Sequence, residues 1–510
     1  MQQKTKAISS TAAPKKFFRM PGSEKPIKPE ESLSSDSEKL SGYYTTSKLE
    51  KLFDTLIAEL YKIKSSNEII CAADGFEKLE VEISKITSKL GDYTSAIIVQ
   101  KSLESPELKE SGKALLKASQ VKMKDMGARV ISIKMLGGTK VEIIANYYHK
   151  KSDLKNKKRK KQGIYPGLSL LGINDKCSPA LSSRISIFAT AASSFEEAKK
   201  LMETLYGFSV DVKTIQLICK RFAMRARLSF SKGSLPLDGE YQGKRVIIST
   251  DGGRIRVRKN KKGKKTKKNR RRYYTYWREP KLILVYVVDE NGRKDREISP
   301  VMDASLDGPD AVFVMLLFYL EKLGVNKADK LLFVSDGANW IWERAKDLIS
   351  NLGFDEKQCW YVLDFYHAVE HLGIIATYKR WNKKEADKWI KIQRHRLLKG
   401  NLKIFIEEIE SVCKGTKSDI LKRERRFFKK HLPHMRYAEI KDYKLPIGSG
   451  AVESGIRRVV NMRLKGAGIF WKEEMADAML FLRSYYKAGR WNVLKNMAIS
   501  GGMYFNEQYL

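Results

Sequence analysis

The sequence predicts an α/β protein. Hydrophobic runs of strand length (KRVIIST, KLILVYVVD, KLLFVSD and CWYVLD) alternate with helix-period segments from Lys244 onward. The chain before them reads as mostly helical, with one hairpin pattern. A third observation points to chemistry: in a chain of net charge +39, each of these apolar runs closes on an aspartate, Asp251 and Asp336 among them.

Composition bounds the rest. At 510 residues the chain is long enough for two to four domains, and an apolar content of 42% is ample for a large core. Lys and Arg number 98 against 59 Asp and Glu, an excess that argues for a polyanionic partner, nucleic acid rather than a membrane. No run of eighteen apolar residues occurs, and MQQKTKAISSTAAPKKFF lacks the apolar stretch of a secretory signal, so a cytoplasmic location is expected. Cys71, Cys177, Cys219, Cys359 and Cys413 are scattered and form no CxxC pair. They support neither a disulfide framework nor a cysteine zinc site and read as buried thiols.

Residues 1–45, rich in Ser, Lys, Glu and Pro, read as a disordered basic arm. Residues 46–127 are expected to be helical, from apolar spacing such as Leu52, Leu56, Ile57 and Leu60. Residues 128–163 hold a small β element, RVISIKM and KVEIIANYY turning at Gly137-Gly138, and then the basic linker HKKSDLKNKKRKKQG. In 164–235, Ser194 and Glu197 form a capping-box pattern before a helix with Phe195, Ala198, Leu201 and Leu205 on one face. Gly207 ends it. A second helix follows, with Val212, Ile215, Ile218 and Phe222 inward and Lys213, Lys220, Arg221, Arg225 and Arg227 outward. Helix, glycine turn and basic helix fit either a helix-turn-helix DNA reader or an ordinary helical hairpin.

Residues 240–365 are expected to form the first part of a catalytic core. KRVIIST runs to Asp251, KLILVYVVD pairs with it, and a turn at Asn291-Gly292 leads to a third strand, REISPVM. A helix over 310–323 precedes KLLFVSD, and a helix over 338–352 precedes CWYVLD, which ends at Asp364. Three hairpin-linked strands followed by two strands separated by helices is the element order of the ribonuclease H-like fold. Residues 366–445 read as an α-helical insertion, 446–490 as the C-terminal helices of the core, and 491–510 as a tail.

Glu453, opening a helix in LPIGSGAVESGIRR, joins the two aspartates. Two carboxylates at strand ends plus one from a helix suit a two-metal phosphoryl-transfer site, because hard divalent cations take oxygen ligands and clamp attacking and leaving oxygens. Taken singly, Asp-Gly after a strand is a common turn, and Glu453 four residues before Arg457 has the favoured orientation of a surface ion pair. Together they are separated by 85 (336 − 251) and 117 (453 − 336) residues, so only tertiary folding would gather them.

STDGGR, VSDGANWIW, DFYHAVEHL and IGSGAVESGIRRVVNMRLKGAGIFW resemble the core of bacterial insertion-sequence transposases of the ISKra type, related to the Mutator-like group, over roughly residues 160 to 490. The resemblance implies an Asp, Asp, Glu triad, here Asp251, Asp336 and Glu453, on a ribonuclease H-like core with an inserted helical domain. It implies Mg²⁺, with Mn²⁺ substituting, held by the same three residues. Double-stranded DNA is the implied partner, both element ends and target, bound by a homodimer or larger synaptic assembly in a nucleoid-associated location. Asp364 and His367 match an Asp-x-x-His element with a structural or DNA-positioning role; a helix N-cap and a core histidine are the alternative reading. Such transposases often carry a cysteine pair near the position of Tyr148, where this chain has HKKSDLKNKK, so a zinc role for His149 is not expected.

Between the first two core strands, thirteen of the nineteen residues from Arg254 to Arg272 are Lys or Arg, followed by Tyr273, Tyr274, Tyr276 and Trp277. A charge run is usually a solvated face, but this one begins three residues past Asp251. Arg254, Arg256, Arg258, Lys264, Lys265, Lys267, Lys268, Arg270, Arg271 and Arg272 are therefore expected to contact DNA, the rings stacking on splayed bases. Arg457, Arg458, Arg463 and Lys465 are expected to hold phosphates, and Trp340, Trp342 and Trp471 to lie in the core. The sequence thus points to element-end cleavage and strand transfer. A DNA-binding protein without catalysis and a nuclease acting on structured nucleic acid are the competing readings.

Overall fold

A computed structural model describes residues 42–66, 70, 72–119, 122–150, 163–267 and 269–501. Residues 1–41 of the expected N-terminal arm, most of the basic linker, Cys71, Lys268 and the last nine residues lie outside the described residues, and residues 42–45, also assigned to the arm, open the first helix instead.

The N-terminal part pairs helices with a hairpin. Helices α1 (Gly42–Lys64), α2 (Ala73–Glu104) and α3 (Pro106–Ala118) precede strands β1 (Met123–Lys134) and β2 (Lys140–Lys150), with a short β3 (Gly163–Ile164) on the far edge. The hairpin begins at Met123, inside the segment expected to be helical. Asp92, on α2, ties the two together: its carboxylate accepts the amides of Gly137 and Thr139 at 2.8 and 3.0 Å. Ala96, Ile133, Val141 and Ile143 form a small separate core.

Helices α4 (Pro166–Leu170), α5 (Pro179–Ala191), α6 (Phe195–Tyr206) and α7 (Val212–Ser231) follow. The Ser194 hydroxyl accepts the Glu197 amide at 2.9 Å, but Glu197 reaches back to the Ser193 amide rather than to that of Ser194. Ala198 and Met202 face inward, while Leu201 and Leu205 are exposed, a correction to the expected face. Ile215, Ile218 and Phe222 of α7 are part of the largest core, and four of its five basic residues are paired: Lys220 with Glu474, Arg221 and Arg225 with Asp175, and Arg227 with the fully buried Asp303. Lys213, in the first turn, is exposed.

The centre of the molecule is a five-stranded mixed sheet. Strand β4 (Arg245–Gly252) is followed by a projecting hairpin of β5 (Ile255–Asn260) and β6 (Tyr273–Arg278), and the chain returns as β7 (Lys281–Val288) and β8 (Val301–Ser305). Helices α8 (Pro309–Lys322) and α9 (Asn339–Leu352) flank β9 (Lys330–Ser335), and β10 (Cys359–Leu363) completes the order β10-β9-β4-β7-β8. β7 is antiparallel to both of its neighbours, β4 and β8; β9 is parallel to β4, and β10 to β9. The third strand starts at Val301, later than expected. Asp295 takes the amides of Glu297 and Ile298 into a turn, and Pro300 has no amide to offer a ladder.

Both faces of the sheet are covered, so its strands read as continuous apolar runs rather than alternating ones. Val246 and Ile248 pack with the α7, α8 and α9 side; Ile247 and Leu284 pack on the other. That second face carries α10 (Phe365–Tyr378), α11 (Lys383–Leu398), α12 (Leu402–Cys413), α13 (Asp419–His431) and α14 (Tyr437–Asp442), the helical insertion expected over 366–445.

The chain then forms α15 (Gly450–Ile456), a π-helical stretch over Arg457–Asn461, α16 (Met462–Leu464), the short β11 (Trp471–Lys472), α17 (Glu473–Lys487) and α18 (Trp491–Ser500). β11 pairs with β5, tying the projecting hairpin to the core. The first half of the segment expected to be a tail is α18, whose Leu494, Met497 and Ala498 are buried in the main core. The four described cysteines are free and buried. No described helix is long and apolar enough to cross a membrane.

Candidate active site

The parallel register of β4 and β9 brings the two aspartates together. Ser249 is paired with Val334, and two residues further along each strand direction stand Asp251 and Asp336. Neighbouring strands run roughly 5 Å apart, so the two residues stand side by side at one edge of the sheet.

Glu453 arrives on α15, which packs on β4 and β7. Gly455 permits the approach: a Cβ there would stand 2.7 Å from Leu282 Cδ2. Asp251 lies within electrostatic reach of the other two carboxylates. The Asp251 carboxyl is pushed up from 3.8 to about 6, chiefly by burial and then by the charge of Asp336, with Glu453 and Glu279 adding to it and the Gly252 amide opposing. Their hydrogen-bond partners are backbone amides and serine hydroxyls: Gly252 N–H to Asp251 at 2.6 Å, Ala338 N–H and the Ser335 hydroxyl to Asp336 at 3.0 and 3.2 Å, and the Ser449 hydroxyl to Glu453 at 3.2 Å.

Among the described residues no group of three or more His, Cys, Asp or Glu side chains is gathered closely enough to hold a metal ion. In chemical kind the donor set fits a hard divalent cation, since all its donors are carboxylate oxygens and their mutual repulsion is what a cation relieves.

Asp364 is fully buried and organises the loops around this edge. One carboxylate oxygen accepts the amides of Tyr366 and His367 at 2.6 and 3.1 Å, capping α10. The other accepts both the amide (2.7 Å) and the hydroxyl of Ser449. Its own amide donates to the Ser335 carbonyl at 2.8 Å, next to Asp336. The N-cap reading of Asp364 is thus met, and a link to Glu453 through Ser449 is added. His367 contacts neighbours on its own helix: its Nδ1 lies 3.3 Å from Glu370 and its Nε2 3.2 Å from His371 Nε2, and His371 Nδ1 bonds to the buried Glu424. His149, which the sequence gives no zinc role, is buried, with Nδ1 3.0 Å from the Lys150 carbonyl.

The basic residues divide. Arg254, Arg256, Lys264, Lys265, Lys267, Arg270, Arg271, Arg272, Arg457 and Lys465 are exposed, and Arg258 and Arg458 are half-buried. Arg463 is a correction. It is 4% exposed, its guanidinium lies over the rings of Phe195 and Trp471 at 5.0 and 5.1 Å, and burial lowers its pKa to about 10. The π-helical stretch before it shifts the helical phase and turns this residue inward, away from any phosphate. Trp471 is buried, as expected, while Trp340 and Trp342 are half-buried.

Three features escaped the sequence reading. Ser449 was not singled out; it stands at the N-cap position of α15, but its hydroxyl serves Asp364 and Glu453. Glu279 offered no signal; it joins the site because it follows the hairpin that returns to β7. The basic segment, read as a loop, is a strand pair at both ends, and the apolar alternation of Ile255 and Val257, both buried, was its trace in the sequence.

No protein-family model matches this chain, and no match is found among curated proteins.

Proposed function

We propose that this chain is a DNA transposase that cleaves the ends of its own insertion sequence and joins the freed 3′-hydroxyls to target DNA. The observation that carries the reading is the meeting of Asp251, Asp336 and Glu453 at one sheet edge, beside a hairpin crowded with Lys and Arg. The strand order supports a ribonuclease H-like core: three antiparallel strands, then two parallel strands added beside the first, with a helical insertion before the last carboxylate.

Asp251, Asp336 and Glu453 would hold Mg²⁺, or Mn²⁺ in its place, which when bound activates the attacking oxygen and neutralises charge on the leaving one. The protein's own part is positioning. Asp251 and Asp336 sit on rigid strand ends, and Ser449 and Asp364 set the start of the Glu453 helix. Exposed basic side chains of the β5–β6 hairpin, with Arg457 and Lys465, draw the phosphate backbone toward that edge. Joining two ends calls for two sites in one assembly, which makes a homodimer or larger complex on double-stranded DNA, in the nucleoid, part of the same proposal.

The experiment is strand cleavage and joining in Mg²⁺, on a DNA fragment bearing the gene's own flanks, with wild type beside Asp336→Asn. Cleavage at the flanks with joining, lost in the variant, is the expected result. Binding without cleavage by either protein, with several metals, would favour a DNA-binding protein without catalysis. Cutting of branched or hybrid substrates irrespective of flanks would favour a structure-specific nuclease.

A further inference from the structure

The β5–β6 hairpin carries more than charge. Its cross-strand register sets Arg256 opposite Trp277 and Asn260 opposite Tyr273. Along this face guanidinium groups and rings alternate: Arg254 lies over Trp277 at 4.9 Å, and Arg256 stands 5.3 Å from Trp277 and 5.4 Å from Phe470. Phe470 meets Tyr273 with ring centroids 6.2 Å apart, and Arg258 lies 5.2 Å over Tyr273. Trp277 and Tyr273 remain 47% and 42% exposed, too much for rings placed to fill a core.

We propose that this ladder binds an unpaired stretch of DNA at the cleavage site, the rings stacking on bases and the arginines holding the phosphates between them. The inference rests on the DNA reading above and names the form of DNA that meets the hairpin. Duplex DNA offers phosphates to lysine and arginine but keeps its base faces covered by neighbouring bases. Exposed flat rings gain from DNA only where bases have left the stack. A purely electrostatic hairpin would need no rings. This one interleaves them with arginine, whose planar group stacks on an aromatic face while its N–H edge stays available to phosphate.

Position supports the same conclusion. Arg254 follows Asp251 by three residues, roughly 10 Å of extended chain, so the ladder starts within one or two nucleotides of the carboxylates. β11 anchors it by pairing Trp471 with Val257, which fixes the direction in which a bound strand would leave the site.

The test uses the full chain without divalent metal, so it does not depend on catalysis. Fluorescence anisotropy compares a blunt duplex with the same duplex extended by an unpaired tail carrying 2-aminopurine. Wild type is expected to bind the tailed DNA more tightly and to quench the 2-aminopurine. Trp277→Ala and Tyr273→Ala should each lose roughly 5- to 100-fold in affinity for tailed DNA while keeping blunt-duplex affinity within about two-fold. Trp277→Phe should retain the quench.

Equal losses on blunt and tailed DNA, or an unquenched tail in wild type, would overturn the proposal. The wild-type quench needs no variant to fold, and Asp336→Asn should bind the tail as wild type does. Tail binding in a protein that never cleaves its flanks would sink the transposase reading and leave the ladder standing.

Discussion

The Ser449 amide donates to the buried Asp364 carboxylate at 2.7 Å, and the Ser449 hydroxyl is bonded to the same oxygen while lying 3.2 Å from Glu453. One serine therefore joins the end of β10 to the helix that carries Glu453. The hydroxyl has a single proton to share between two carboxylates, so its place depends on both.

Removing that hydroxyl should loosen Glu453 more than it destabilises the fold. Ser449→Ala is expected to cost about 1 kcal/mol of stability and to slow flank cleavage by at least about tenfold, with Ser449→Thr restoring most of the rate. Thermal melting beside single-turnover cleavage separates the two effects. A cleavage rate unchanged in Ser449→Ala would remove its positioning role.

Asp364→Ala should be far more damaging. It strips acceptors from the amides of Tyr366, His367 and Ser449 in a buried setting, and a loss of roughly 2–4 kcal/mol is expected from chemical denaturation.

Asp251→Asn should abolish cleavage yet leave DNA affinity nearly intact, because the residue lies among carboxylates rather than phosphate-binding cations. Without divalent metal the variant should melt at a higher temperature than wild type at neutral pH. Replacing a carboxyl whose pKa burial and Asp336 raise to about 6 relieves on the order of 1–3 kcal/mol of unfavourable charge. A lower melting temperature would contradict the repulsion inferred among Asp251, Asp336 and Glu453.

His431 sets a pH dependence on the other side of the Asp336 turn, where a Cβ on Gly337 would stand 3.4 Å from its Nε2. Burial first, then Lys430 and the neighbouring histidines, lower its pKa from 6.5 to about 4. The unfolded chain thus takes up a proton as pH falls below 6.5 while the folded chain resists until about 4. Its contribution to stability is complete above 6.5 and drains away as pH falls toward 4, by roughly 2–3 kcal/mol in all. His431→Phe should flatten the fall of the melting temperature across that window; an unchanged slope would mean that the folded and unfolded chains take up this proton alike.

Arg463 and Lys465 should behave oppositely despite their two-residue spacing. Arg463→Met is expected to leave DNA affinity unchanged and to keep or raise stability, since Nε and Nη2 of the buried guanidinium have no hydrogen-bond partner among the described residues. Lys465→Ala should reduce the slope of log affinity against log salt by about one, as for a single phosphate contact. Filter binding over a salt series reads both.

The α/β class, the apolar sheet strands and the all-helical stretch over 366–445 were legible in the sequence, because apolar periodicity is a local property and each element carries its own. So were Asp251 and Asp336 as strand-end carboxylates. Their meeting was not local. It follows from the parallel pairing of β4 with β9, and the arrival of Glu453 from the close approach that Gly455 permits. The inward turn of Arg463, the engaged basic face of α7 and the Asp364–Ser449–Glu453 link likewise depend on which neighbours each side chain meets. Composition and spacing determined what groups this chain can offer; packing, which joins residues far apart in sequence, decided which of them are free to act.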